Sequence, residues 1–298
     1  MKYTATMNEA FTNALQELPQ EVRDDVWADK YKYLTDVSLI RKAMTSDTAR
    51  ILDIGGARGA NIAMLRHLGA RDLHLVDRFD RTESELLNNC EHPTRRLWEH
   101  FGVDTQECDV TKQRLPYPDN SFDVVTATDL IEHFTVSSKP FFAEIRRVLK
   151  PGGLLVTGCP NVSNLQNRIK IMFGGSVHSA LKVWHNTSHY LGHIREFTPA
   201  EIEHMLAEGG FEIVFKYMGE EELDSVVKDR AKLQRDRTPG SNKLDLKKPG
   251  DLAFYLGVLA YYGVAKIFPG CRYFSRFIAR KPDGDASANG KTDKRMTA

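Results

Sequence analysis

The chain reads as an α/β protein built on a doubly wound, mostly parallel sheet with helices on its faces. Three observations predict this. The stretch Arg50–Gly59, RILDIGGARG, is a short apolar run closed by an acid and a glycine-rich turn. Apolar runs then alternate with helical patterns as far as Pro160. Two later runs close on an acid as the first does, at Asp77 and Asp109.

Residues 1–48 form a polar, mixed N-terminal helical flank, with Val22, Val26, Tyr33 and Leu34 as an apolar stripe and Trp27 beside it. Strand one is Ile51–Ile54. The helix after it, Asn61–Leu68, places Ile62, Leu65 and Leu68 on one side and stops at Gly69. Strand two is Leu73–Val76, followed by a helical stretch from about 83 to 101 and a third strand near Thr105–Cys108. Strand four is Phe122–Thr128. Helix Pro140–Leu149 ends at Lys150-Pro151-Gly152-Gly153, and strand five is Leu154–Gly158. Beyond Pro160 the alternation loosens into an insertion, 161–195, with a helix around Leu165–Phe173.

Thr198-Pro199-Ala200-Glu201 is a capping box with proline at the first helical position. Phe211–Tyr217 reads as a sixth strand and Phe277–Ala279 as a last short one. Between them, 220–250 is a charged surface excursion. Residues 283–298 form a polar tail without an aromatic, expected to be disordered.

Composition narrows the function. A net charge of +1 offers no global field for nucleic acid or an anionic surface. The four cysteines, Cys90, Cys108, Cys159 and Cys271, form no CxxC pair, so a zinc ribbon is not expected, and free thiols in a reducing cytoplasm are. Residues 1–20 lack an apolar core, so no secretory signal is expected. Leu252–Ala265 carries no charge over 14 residues. That is short for a span and suits a core helix, or an interfacial one giving peripheral membrane contact.

The chemistry lies at the strand ends. In a doubly wound sheet, ligands sit beyond the carboxyl ends of the strands. A glycine-rich turn lets backbone approach a ligand and aims helix-start N–H groups at it. Asp53 closes the first strand. Asp77, closing the second, can accept hydrogen bonds from two ribose hydroxyls. Asp109, after the third, can accept one from an adenine amino group. Singly, each is as well explained by a solvated turn or a cap; together they point to an adenosine-containing cofactor. A nicotinamide dinucleotide prefers G-x-G-x-x-G, which Gly55, Ala57 and Ala60 meet only with two alanines.

The stretches LDIGGARGANIAML, HLVDRFD, ECDVTKQRLPYPDNSFDVVTATDLIEHF and EIRRVLKPGGLLVTGCPN resemble the class I S-adenosylmethionine-dependent methyltransferases. The likeness covers about 48–160 and extends loosely through 197–213. It implies a Rossmann-like, seven-stranded, mostly parallel sheet with a final antiparallel strand. A methyltransferase domain over 49–282 is then expected to carry helical lid insertions at 161–195 and 220–275. The resemblance also implies the cofactor, S-adenosyl-L-methionine, and its contacts. Asp53, Gly55, Gly56, Ala57 and Gly59 match the turn that holds the methionine part, with Ala57 at the middle glycine. Asp77 and Arg78 fall at the ribose, Asp109 and the Val110 N–H at the adenine, and Thr128 and Asp129 beside the sulfonium.

The activity implied is methyl transfer to a small molecule, with an oxygen of a sugar, glycan precursor or lipid-linked metabolite as the favoured acceptor. N- or C-methylation of quinone or natural-product type, action on protein or nucleic acid, and a non-catalytic cofactor-binding module are the alternatives.

His193, in Gly192-His193-Ile194-Arg195-Glu196-Phe197, and His133, in the Glu132-His133 pair, are the candidate catalytic bases. Packing is the competing role for both. Arg195, Trp184 and His189 are the candidate substrate contacts, Arg195 alternatively pairing with Glu196 or Glu201. Phe173, Tyr190 and Phe197 join Trp184 either as a substrate wall or as the insertion's own core. His185, His189 and His193 recur every four residues. Nothing completes a zinc set there and Gly192 interrupts the helix, so no metal is assigned.

Overall fold

In the computed structural model of the chain, the structure describes residues 3–56, 58–78, 98–99, 101–178, 181–186, 192–220 and 249–284. Ala57, most of the helix expected over 83–101, the 221–248 excursion, Cys90, His189, Tyr190 and the tail from 285 lie outside the described residues.

Seven strands form one sheet: β1 Arg50–Ile54, β2 Asp72–Asp77, β3 Asp104–Glu107, β4 Phe122–Thr128, β5 Leu149–Pro160, β6 Glu212–Gly219 and β7 Phe274–Arg280. Their order is β3-β2-β1-β4-β5-β7-β6. The pairs β1–β2, β2–β3, β1–β4 and β4–β5 are parallel, and β7 is antiparallel to both β5 and β6. This is the doubly wound fold with one antiparallel strand. The first three strands place their carboxyl ends side by side, with the chain turning to β4 beside β1, the switch point at which sheets of this kind bind ligands.

Two strands differ from expectation. β5 begins at Leu149 because that residue already pairs with Phe122 before the register shifts at the Pro151-Gly152-Gly153 turn. β7 runs from Phe274 to Arg280, longer than the apolar triplet at its centre, and all but its last residue are buried. The buried Arg276 breaks the apolar pattern, so the sequence conceals the strand's length.

Both faces of the sheet are covered. On one side the N-terminal flank folds as α1 Ala5–Glu17, α2 Gln20–Ala28 and α3 Lys30–Ala43. Phe11, Leu18, Val22, Val26, Leu34 and Ile40 pack there with Ile51, with Trp98 and with Met64 of α4, Ala60–His67. On the other side Phe141, Phe142 and Ile145 of α5, Lys139–Val148, meet Leu52, Val125, Leu155 and Phe277. The insertion supplies α6 Leu165–Met172 and α7 Leu181–Asn186. Next come α8 Pro199–Glu208, whose Ile202 and Leu206 join the second core, and α9 Pro249–Ile267.

α9 contains the uncharged stretch, and most of the side chains described there are exposed. Leu256, Leu259, Val264 and Ile267 are exposed, while Ala265 is buried. The sheet faces are already occupied by the helices above, which leaves α9 its apolar surface. No helix among the described residues is long and apolar enough to cross a membrane.

The capping box forms as its sequence predicts. Glu201 N donates to Thr198 Oγ1 at 3.3 Å, and Thr198 N donates to Glu201 Oε2 at 2.8 Å. Thr198→Ala is expected to lower unfolding stability by about 1 kcal/mol, read as a lower urea midpoint with an unchanged slope.

Candidate active site

The glycine-rich turn joins β1 to α4 as a close approach of backbone to acid. Gly55 N donates to the Val76 carbonyl at 2.8 Å, tying the turn to the end of β2. Gly59, at φ +71°, starts α4. Asp53 is buried beneath Gly56, where a Cβ would stand 2.2 Å from its Oδ2. That Oδ2 has no hydrogen-bond partner among the described residues. Burial, and then the nearby Asp36 and Asp77, push the Asp53 carboxyl well above the usual range. A buried acid in this condition favours a ligand that brings hydrogen-bond donors and positive charge.

Asp77 lies half-buried at the end of β2, and its Oδ1 accepts the Arg78 backbone N–H at 2.6 Å. Arg78 itself is exposed. Asp109 lies two residues beyond β3. Its Oδ1 accepts from the Thr111 N–H at 3.0 Å and from the Thr111 hydroxyl, and its Oδ2 meets Lys112 Nζ at 2.8 Å. Burial pushes this carboxyl up, but Lys112 and Thr111 outweigh it and hold it down at about 2. Asp109 is therefore a fixed anion bound into its own turn. Val110 packs half-buried against the second core. The three acids thus occupy the ends of three adjacent parallel strands, with Asp77 close enough to Asp53 to raise its proton affinity.

Asp129, which the sequence puts at the end of strand four, is engaged through Oδ2 in a buried ion cluster. It follows Thr128 at the end of β4 and adopts a left-handed φ of 49°. Its Oδ2 meets Lys32 Nζ at 2.8 Å and Arg276 Nη2 at 2.9 Å. Arg276 Nε donates to Asp36 Oδ1 at 2.7 Å, and Thr128 Oγ1 donates to Asp36 Oδ2 at 3.3 Å. Arg276 and Asp36 are each 1% exposed at the side chain. Burial opposes charge on Asp129, but Arg276 and Lys32 prevail and its proton affinity falls. For Asp36 burial prevails over Arg276, and its affinity rises. Lys32 is held protonated against burial by Asp129. Arg276 crosses the sheet at the register Gly158↔Arg276, where a Cβ on Gly158 would meet the Ser275 carbonyl at 2.0 Å and Arg276 Cδ at 2.8 Å.

Past Asp129 the chain makes one 3-10 turn, Ile131–His133. Glu132 is fully buried, and neither carboxylate oxygen is bonded to another of the described residues. Burial, then Asp129, raise its carboxyl to about 8. The loop carrying His193 docks on this turn: Ile194 N and Arg195 N donate to the Glu132 carbonyl at 2.7 and 3.1 Å. His193 Nδ1 lies 2.7 Å from Glu196 Oε1, and the His133 and His193 rings stand edge to face with centroids 5.0 Å apart. Hydrogen bonding to Glu196, against burial, raises the His193 proton affinity. The structure therefore joins two histidines 60 residues apart in sequence.

Of the substrate candidates, Arg195 and Trp184 are exposed, and His189 lies outside the described residues. Arg195 is exposed, donates to Glu201 Oε1 at 2.6 Å and sits over the Phe197 ring at 5.1 Å. Trp184 and Phe173 are exposed, whereas Phe197 belongs to the core, so these aromatics form no single wall. Asp36, Lys32 and Arg276 were not expected at the site. Lys32 and Asp36 stand four residues apart on α3, a spacing that marks one helix face. Nothing in the sequence marks Arg276. Replacing it by methionine leaves Asp36 and Asp129 buried without their shared partner. Arg276→Met is expected to cost about 3–5 kcal/mol, measured by chemical denaturation.

Comparison with known proteins agrees with this geometry. The family model described as a methyltransferase domain matches residues 20–215. A Mycolicibacterium smegmatis protein named "Probable S-adenosylmethionine-dependent methyltransferase" is 34% identical over 116 residues, which are 37% of this chain and 38% of that one. A sterol 24-C-methyltransferase of Gibberella zeae is 36% identical over 84 residues, 25% of this chain and 22% of that one. The chain thus matches well under half the length of these curated relatives. Among solved structures, a methyltransferase of Thermotoga maritima shares the fold, with a TM-score of 0.50 at 16% identity over 88% of this chain and 94% of that one. With the family match spanning most of the chain and the glycine turn at its head, the protein belongs to the class I S-adenosyl-L-methionine-dependent methyltransferases.

Proposed function

We propose that the protein transfers a methyl group from S-adenosyl-L-methionine to an oxygen of a small acceptor, a sugar, glycan precursor or lipid-linked metabolite. The observation that carries this reading is the buried Asp53 carboxylate beneath Gly56, near Asp77, whose Oδ2 has no hydrogen-bond partner among the described residues. The cofactor brings an ammonium group, ribose hydroxyls and a positive sulfur that activates its methyl group. Asp53, Gly55, Gly56 and Gly59 would hold the methionine part, and Asp77 would accept the ribose hydroxyls. Asp109 and the Val110 N–H would face the adenine. Thr128 would stand near the methyl group, with Asp129 beside it paired to Lys32 and Arg276.

The acceptor side follows the chain beyond β4. Glu132, His133 and His193 make its polar end, which suits an oxygen acceptor. The exposed apolar residues Met172 and Phe173 at the end of α6, with Leu256 and Val264 of α9, suit an acceptor with a lipid part or peripheral membrane contact. A second reading, transfer to carbon, is supported by the likeness to the sterol 24-C-methyltransferase.

Calorimetric titration with S-adenosylhomocysteine, followed by a methyl-transfer assay on hydroxylated and carbon-acceptor panels, tests the reading. Binding and turnover of a hydroxylated acceptor are expected. Absence of binding removes the cofactor assignment, and binding without turnover on a broad panel points to a module that holds the cofactor without catalysis. Asp77→Ala is expected to weaken S-adenosylhomocysteine at least tenfold, since each hydrogen bond to a charged group contributes about 1.5–3 kcal/mol. Unchanged affinity removes Asp77 from the site.

A further inference from the structure

We propose that Glu132, His133 and His193 bind a divalent transition-metal cation that positions the acceptor's oxygen. Each of the three offers one ligand atom, and those atoms lie within 4.8 Å of one another. Donors at the usual 2.0–2.2 Å from an ion are about 3–4 Å apart. The three donors would have to draw together by about 1 Å around an ion. Two imidazoles and one carboxylate match the donor sets of borderline divalent cations and leave positions open for a substrate oxygen.

Two independent features point to a ligand here. The first is Glu132. Its carboxylate is fully buried, with neither oxygen bonded to another of the described residues. Burying a polar group without a partner is costly, and a cation between it and the histidines would supply one. The second is Glu196, whose Oε1 lies 2.7 Å from His193 Nδ1. A carboxylate on one ring nitrogen fixes the ring and directs the other nitrogen outward, as around metal-bound histidines. The backbone supports the same geometry, because Ile194 N and Arg195 N clamp the histidine loop onto the Glu132 carbonyl.

This role replaces the general base assigned to His193 and His133 from the sequence. A hydroxyl that coordinates the ion ionises near neutral pH, as bound water does, and its proton passes to bulk water. The oxygen then carries the electron pair needed for transfer without a protein base. The cluster follows Asp129 by three residues, so the ion would hold the acceptor close to the end of β4.

The chemical role rests on the methyl-transfer reading, but the existence of the site does not. Its test is calorimetric titration of Zn2+ into the untagged, metal-free full chain with no cofactor present. One ion per chain is expected to bind with micromolar or tighter affinity. Glu132→Gln and His193→Ala are each expected to lower that affinity at least tenfold, while His185→Ala leaves it within about twofold. Co2+ is expected to give a visible absorption band that Glu132→Gln abolishes.

No zinc binding by the wild-type chain overturns the proposal, as does equal binding by Glu132→Gln. Dependence on His185 rather than Glu132 also overturns it, by moving the ion elsewhere. Circular-dichroism melting checks that each variant folds, and His133→Ala, at an exposed position, repeats the test if Glu132→Gln does not. Zinc binding that depends on Glu132 in a chain that fails to bind S-adenosylhomocysteine would remove the methyl-transfer reading and keep the metal site.

Discussion

The site depends on one guanidinium. Arg276, from the last strand, reaches Asp36 of the N-terminal flank and Asp129 at the end of β4, and Lys32 completes the cluster. Two carboxylates and two cations close to neutrality inside the protein. Such a cluster contributes little to stability compared with a well-packed apolar one, yet losing any member leaves a buried charge uncompensated. It therefore acts as a geometric constraint. The flank has to lie over β4 and β5 in a single position for Asp36 to meet an arginine 240 residues away. The antiparallel β7 makes this possible by placing Arg276 opposite Gly158, where no side chain blocks its path.

That neutral cluster divides the acids of the strand ends into two groups. Asp36 and Asp129 are matched by Arg276 and Lys32. Among the described residues, Asp53 Oδ2 has no such partner, and neither do the two carboxylate oxygens of Glu132, just past Asp129. The protein thus keeps unmet acceptor capacity both at the end of β1 and just beyond β4. One lies under the glycine turn, the other under the histidine loop. Proteins rarely keep buried carboxylates unpaired without a role for them, because desolvation is not recovered. A cationic cofactor on one side and a cation on the other satisfy both by the same electrostatic argument.

The fold was largely legible in the chain because its signals are local. The apolar run before Asp53, the glycine turn, the stop at Lys150–Gly153 and the Thr198 capping box each specify their own element through hydrogen bonding and backbone freedom. α9 misled for a related reason. An uncharged stretch suggests burial, but burial depends on whether a sheet face remains to be covered, and none did. β7 misled in the opposite sense, since its buried arginine interrupts the apolar pattern that marks a strand.

For the site, the sequence alone determined which acids stand at the strand ends, because the strand-turn-helix pattern carries each of them there by local geometry. Only the tertiary structure decided which of those acids are matched. It set Asp129 in a buried ion cluster, bound Asp109 into its own turn, and brought Glu132, His133 and His193 together. The physical reason is that an ion pair or a ligand set is a property of distance in space. The partners here, Lys32 and Arg276 to Asp129, or His193 to Glu132, approach one another only after the sheet and its covering helices have formed.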